Sequence, residues 1–283
     1  MSGLVDAPGE ARDHDHARAG ERDGIVLDAA DVRLRRLILG VRVSQEPRAF
    51  VVRPLLDDPL GAMARDHLRA DGVDLDASWT VPGTTNRFAV VLVDARSGDR
   101  TVLWNRHPLL TIEPDAVPRA AVESGRVLVV DSQETAAAER AARYARAAGI
   151  PTIVDVECVR PGTADLLRQI DAIVAARDFP AALTGYSEPG RALRAIADEC
   201  RAPLVAVTLG AEGSLALCGG REILTRGFVV DCVDTTGAGD AFRAGLAAGC
   251  LRTPDGDIED VLEYANAVAA LSCRGLGAQG AMP

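Results

Sequence analysis

The chain has 283 residues, 48% of them hydrophobic, with a formal net charge of −10 and a pI of about 5.0. That length and apolar content suffice for one large α/β domain with a substantial core. An acidic balance without a basic stripe argues against a nucleic-acid partner, and no apolar run reaches membrane-spanning length.

All 31 basic residues are Arg, and there is no Lys. This excludes a Walker-type phosphate loop, which needs one. Six Cys stand at 158, 200, 218, 232, 250 and 273 without a CxxC pair. Free thiols in a reducing compartment are the expectation. No signal-peptide pattern opens the chain, so the expected compartment is the cytoplasm.

Residues 1–24 are polar and lack a hydrophobic period, so they are expected to be disordered or loosely attached. His14 and His16 flank Asp15 there, and a solvated tail explains them better than a metal site. Residues 25–53 hold short apolar pieces among many Arg. Together, 1–53 read as an atypical N-terminal segment, with the domain proper at 54–283.

From Leu56 the pattern is regular. Asp57-Asp-Pro-Leu-Gly61 opens a helix with an N-cap candidate and a Pro in its first turn, and the helix ends near Gly72. Residues 84–94 and 100–105 predict a hairpin around Gly98. Residues 125–131 predict a buried strand, 134–148 a helix, 151–155 a strand, and 166–176 a short helix followed by a strand. Residues 188–200 predict a helix, 203–208 a strand, and 214–217 with 222–225 an antiparallel pair. A final helix spans 260–273. The alternation from residue 125 onward implies a mostly parallel sheet flanked by helices. In such sheets ligands bind beyond the carboxyl ends of the strands. Asp131, Asp155 and Thr208 all fall at predicted strand ends and face that crevice.

The most informative stretch is VVDCVDTTGAGDAF, residues 229–242. It reads as a strand end, a glycine turn and a helix running on through Gly249. Gly237 and Gly239 permit a tight turn and close approach of a ligand. The amides that open a helix lack intrahelical partners and carry the positive end of its dipole, which makes an anion site. A carboxylate at Asp240 would repel a bound phosphate. It makes sense as a base that takes the proton of an attacking hydroxyl. The plainer reading is a helix cap with turn glycines. A dinucleotide-binding reading of Gly237-x-Gly239 fails, because the third glycine is missing and the motif lies too near the C-terminus to open a βαβ unit.

The string DTTGAGDAF resembles the C-terminal signature of the ribokinase/PfkB family of carbohydrate kinases, and other stretches agree in order and spacing. Asp57-Asp-Pro-Leu-Gly61 is similar to the family's GDDxxG helix start. Thr208-Leu-Gly-Ala-Glu-Gly213 is similar to its nucleotide-phosphate loop, and Gly277-Ala-Gln-Gly-Ala-Met-Pro283 to its closing loop. The resemblance covers about residues 56–283 and implies a ribokinase-like α/β fold with a small β lid at about 84–105. It implies ATP-dependent phosphorylation of a sugar hydroxyl, with Asp240 as base and the amides of Gly237, Ala238 and Gly239 as anion hole. Thr208, Gly210 and Gly213 would line the ATP phosphates and ribose, and Asn266 the adenine. Asn86 and Phe88 would contact the sugar. Mg2+ would arrive with ATP. In members that use K+, Asp234, the carbonyl of Thr236 and carbonyls near Ser272 and Gly277 would hold it, although Ala281 replaces a frequent Ser. A homodimer through the lid strands is the implied assembly. Residues 84–105 and 265–283 are most similar to the ketohexokinase and sulfofructose kinase branch, which implies a ketose.

Three departures stand beside this. Ala176-Arg-Asp-Phe179 occupies the place of the family's NxxE, with Asp155 and Glu157 as substitutes for its work on Mg2+. The family's first strand and GGxxxN helix have no counterpart in 1–53, as an out-of-frame or truncated gene start would give. The chain ends at Pro283, where the family continues into a further helix. Two readings therefore stay open: an active sugar kinase, or a kinase remnant that binds nucleotide only.

Overall fold

The computed structural model describes residues 54–56, 58–84, 88–93, 100–105, 107, 109–254 and 256–283. The expectations for residues 1–53 and for Asn86 lie outside them.

The first described strand, β1 (Pro54–Leu56), pairs in parallel with β2 (Trp79–Val81). Between them runs α1 (Pro59–Ala70). Its N-cap is Asp58, whose carboxylate accepts from the Gly61 amide at 2.7 Å. Pro59 at the first helical position costs no hydrogen bond there. Leu60 and Met63 on α1 are 42% and 52% exposed. The expected hairpin forms as β3 (Phe88–Val93) and β4 (Arg100–Asn105), antiparallel, with Val90 opposite Leu103.

After a short helix, α2 (Arg119–Glu123), come β5 (Leu128–Asp131), α3 (Thr135–Ala147), β6 (Thr152–Val156), α4 (Thr163–Leu167) and β7 (Ala172–Ala175). Next are α5 (Phe179–Thr184), α6 (Pro189–Cys200) and β8 (Leu204–Thr208). The hairpin β9 (Gly213–Cys218) and β10 (Arg221–Arg226) and the helices α7 (Ala238–Arg252) and α8 (Ile258–Ser272) complete the chain. Strands β5 to β8 are parallel neighbours in chain order, and β9 and β10 extend the same sheet antiparallel.

The period-two alternation of the strands sorts their side chains into two cores. Val154, Val156, Ile173, Val205 and Val207 meet Ala138, Leu166, Phe179, Leu193 and Ile196 from α3 to α6. Ile153, Val174, Leu204 and Ala206 meet Phe242, Leu246, Val261, Leu262 and Ala265 from α7 and α8. Each large side chain buried in this way contributes about 1.5–3 kcal/mol. Asp155 has the parity of Ile153, so it sits on the α7 side, at the carboxyl end of β6.

Two expectations need correction. The strand predicted over 125–131 begins only at Leu128, and it is not fully buried: Val129 is 45% exposed, because no described element covers that face of β5. The predicted strand end before the glycine turn is also absent. Only Val229 forms an isolated bridge, and residues 230–237 are irregular. The Cys273 carbonyl takes their amides instead, from Val233 at 2.8 Å and Asp234 at 3.2 Å.

Helices α7 and α8 approach closely. A Cβ on Gly245 would lie 2.9 Å from the Cα of Ala265 and 3.1 Å from the Cβ of Val268. The backbones touch where a side chain would stand, and that contact seats α7 against α8. Overpacking of this kind costs about 1–3 kcal/mol. Gly245→Val is therefore expected to lower the unfolding free energy by that amount, read as a lower urea midpoint at an unchanged slope. An unaltered midpoint would show that the two helices are free to separate.

Candidate functional site at the start of helix α7

Gly237 caps α7 at φ +80, in the left-handed region that glycine enters at little cost. A Cβ there would also come within 2.8 Å of the Ala278 side chain, so the closing loop lies directly on the turn. Asp234 ties these pieces together. Its Oδ1 accepts from the Thr236 amide at 2.9 Å and the Thr236 hydroxyl at 2.7 Å, and its Oδ2 accepts from the Gly277 amide at 2.8 Å. Asp234, Thr236 and Gly277 are thus brought together by hydrogen bonds. The Ser272 side chain is buried and donates to the Ala269 carbonyl at 2.8 Å. The Ala238 amide donates to the Thr235 carbonyl at 3.2 Å, so it is engaged in the turn. Gly239 and Asp240 follow in the first helical turn, where amides point outward.

The Asp240 side chain is 74% exposed and projects from that turn. Beneath it lies a residue that motif reading passed over. The side chain of Arg243 is only 13% exposed. Its Nη2 donates to Asp240 Oδ1 at 2.5 Å, and its Nη1 is 2.8 Å from Asp155 Oδ1. The guanidinium also lies against the backbone of Gly239, where a Cβ would be 3.2 Å from Nη1. A signal for Arg243 existed in the sequence, since i and i+3 share a helix face. Its reach across to β6 is tertiary and had none.

Asp155 is 14% exposed, and its strand neighbour in register is Asp131. Burial pushes the Asp155 carboxyl up, from an ordinary 3.8 to about 6. Arg243 pulls it down, while Glu157, Asp240 and Asp131 push it further up. Desolvation outweighs an ion pair at 2.8 Å because that guanidinium is shared and three other carboxylates face the site.

The loop after β8 divides the expected nucleotide residues. Thr208 ends β8, and Gly210 is exposed at φ +65 with open space beyond its Cα. Gly213 turns inward, and a Cβ there would strike the Thr225 carbonyl at 2.1 Å. Asn266 is 5% exposed, and its Nδ2 donates to Ser214 Oγ at 3.1 Å and the Thr225 carbonyl at 3.3 Å. Both therefore hold the loop from within and do not face the crevice. Arg177, at the end of β7, was also passed over. Its Nη2 donates to the Leu209 carbonyl at 2.5 Å and to Glu212 Oε1 at 2.7 Å.

On the hairpin, Phe88 begins β3 opposite Asn105. Val90, Leu92 and Leu103 share one face and are about half exposed, at 48%, 55% and 56%. Among the described residues, no group of three or more His, Cys, Asp or Glu is arranged to hold a metal ion. No described helix is long and apolar enough to cross a membrane.

Comparison with known proteins gives a consistent result. Residues 47–283 match the model of the pfkB family carbohydrate kinases. An ATP-dependent ribose-1-phosphate kinase of Halopiger xanaduensis is 30% identical over 286 aligned positions, covering 98% of this chain and 88% of the relative. That alignment takes in nearly all of residues 1–53. A fructokinase of Escherichia coli is 26% identical, covering 93% of this chain and 92% of the relative. In three dimensions, the fructokinase of Vibrio cholerae O395 bound to fructose, ADP and calcium superimposes with a TM-score of 0.67 at 24% identity, over 83% of this chain and 82% of that one. The last similarity concerns the fold.

The raised Asp155 carboxyl has a consequence for stability. Between 3.8 and about 6 the folded protein binds a proton that the unfolded chain has released. Ionising Asp155 therefore costs stability as pH rises through that window, with the full cost above it. The cost is on the order of 3 kcal/mol. Asp155→Asn removes this titration. Denaturant unfolding at pH 4 and pH 7 should show the variant gaining on the wild type by up to about that amount at the higher pH. A difference independent of pH would contradict the assignment.

Proposed function

Because the chain belongs to the pfkB family of carbohydrate kinases, we propose that it transfers the γ-phosphoryl group of ATP to a hydroxyl of an uncharged sugar, with Asp240 as the base. The observation that carries this reading is an exposed carboxylate in the first turn of α7, beside a glycine-opened helix N-terminus pinned in place by Asp234. In the step, the acceptor oxygen forms a bond to the γ-phosphorus. The bond from that phosphorus to the bridging oxygen breaks, ADP leaves, and the acceptor's proton passes to Asp240. Positioning and charge neutralisation do the rest. The amides of Gly237 and Gly239 are assigned to the transferring group, with the Ala238 amide held in the turn by the Thr235 carbonyl, and Thr208 and Gly210 to the other phosphates. Gly213 and Asn266 support that loop from behind.

Mg2+ is treated as part of the nucleotide substrate and keeps most of its waters. It neutralises phosphate charge when bound. For K+, Asp234 and Thr236 with the closing loop at Gly277 would form the surrounding wall. Asp234 already joins both loops by hydrogen bonds, and no step is routed through the ion.

Asp131, Asp155, Glu157 and Asp240 crowd one end of the crevice against Arg243. An acceptor with its own phosphate would meet that negative charge, which supports a neutral sugar over a sugar phosphate. We favour a ketose, in line with the fructokinase relative of Escherichia coli. The active-enzyme reading is preferred to a nucleotide-binding remnant because a relative aligns over 98% of the chain. We take 54–283 as the kinase domain, with the hairpin as lid. Its half-exposed Val90, Leu92 and Leu103 support a homodimer formed through the lid strands. The cytoplasm supplies ATP and suits six free cysteines.

The test is ADP release with Mg-ATP across fructose, other ketoses, ribose and ribose-1-phosphate. Ketose-dependent ADP is expected, and Asp240→Asn should lower kcat by about 10²–10⁴-fold while ATP affinity changes little. An Asp240→Asn variant with the wild-type rate would remove Asp240 from the reaction. A marked preference for ribose-1-phosphate would overturn the choice of acceptor.

A further inference from the structure

We propose that Arg243 is a positioning residue for the base: anchored on Asp155, it holds one carboxylate oxygen of Asp240 so that the other is presented to the acceptor hydroxyl. The proposal rests on reading Asp240 as that base.

A carboxylate that is 74% exposed on the first turn of a helix has several rotamers open to it. As a base it must occupy one of them, because reacting groups have to meet within about 3–3.5 Å. Arg243 Nη2 at 2.5 Å from Oδ1 selects that rotamer and leaves Oδ2 for the substrate. The hold is useful only if the guanidinium is itself fixed. Its other terminal nitrogen is fixed by Asp155 at 2.8 Å, near the end of a strand paired on both sides. The guanidinium is a planar fork, so anchoring Nη1 determines where Nη2 lies. Gly239 completes the arrangement, since the fork lies against a backbone that carries no side chain.

A purely structural staple between α7 and β6 is a poor account of this cluster. Buried ion pairs contribute little net stability, and burial raises the Asp155 carboxyl even with the guanidinium beside it. An arrangement that costs stability inside a ligand crevice is the pattern expected of a functional group. Lys at 243 would keep the charge but lose the fork, and it would reach one carboxylate at a time.

The experiment is a kinetic cycle on the full chain with Mg-ATP and the sugar that gives most ADP. It compares wild type, Arg243→Gln, Arg243→Lys, Asp155→Asn, Asp240→Asn and the Arg243→Gln/Asp240→Asn double variant, with ATP affinity and melting temperature measured for each. Misplacing the base should lower kcat about 10²-fold in Arg243→Gln and in Arg243→Lys, with ATP affinity within about two-fold of wild type. Asp155→Asn should move kcat in the same direction. In the Asp240→Asn background, Arg243→Gln should cause no further fall, because the group it positions is gone.

A wild-type kcat in Arg243→Gln, or an equal fall in both backgrounds, would overturn the proposal and leave the base reading intact. If Arg243→Gln does not fold, the Lys variant and Asp155→Asn carry the same test. A wild-type chain without sugar-dependent ADP release, or Asp240→Asn at the wild-type rate, would overturn the base reading and the proposal with it.

Discussion

A helix N-terminus serves as an anion site only if its amides stay open while its backbone stays fixed, and that constraint organises this molecule. Three contacts meet it. Gly245 lets α7 lie against the backbone of α8, which sets the helix in space. Asp234 bridges the loop before α7 to the closing loop through Thr236 and Gly277. Gly237 turns the chain at positive φ beneath Ala278. None of these contacts covers the outer side of the first turn, where Asp240 stands.

The crevice beside that turn is electrostatically costly. The parallel strands bring Asp131 and Asp155 side by side at their carboxyl ends, and Glu157 and Asp240 add further negative charge. Arg243 is the cation set among them. Its position between a buried carboxylate and an exposed one links the sheet to the helix and the helix to the open site. On the other side, Arg177 joins the end of β7 to the loop after β8 through Leu209 and Glu212. Both arginines bring positive charge into the crevice in a chain that has no lysine at all.

Much of this was legible from residue order. Strands β5, β6 and β8 follow apolar runs rich in Val, Ile or Thr. Helices α1, α6 and α8 follow Pro or acidic starts, and DTTGAGDAF marks the site. The failures share one cause, because each depended on which way a side chain or amide turns once the layers pack. Gly213 and Asn266 look the same in sequence whether they face a ligand or the Thr225 carbonyl. The Val229–Val230 pair suggests a strand, yet the nearest partner for the following amides is Cys273, some forty residues further along the chain. Arg243 is spaced to meet Asp240, but its second partner lies on β6. The exposed face of β5 depends on what packs beside Val129, a matter of tertiary structure alone.

The central claim is that the transferring phosphoryl group sits on the first turn of α7 with Asp240 facing the acceptor. The most direct measurement is a crystal structure with Mg-ADP, a fluoroaluminate mimic of the transferring group, and the sugar that supports ADP release. The account predicts the mimic within hydrogen-bond distance of the amides of Gly237 and Gly239. It also predicts the acceptor hydroxyl on the Asp240 oxygen that Arg243 leaves open. A mimic bound away from that turn, or an acceptor hydroxyl held by another carboxylate, would contradict it.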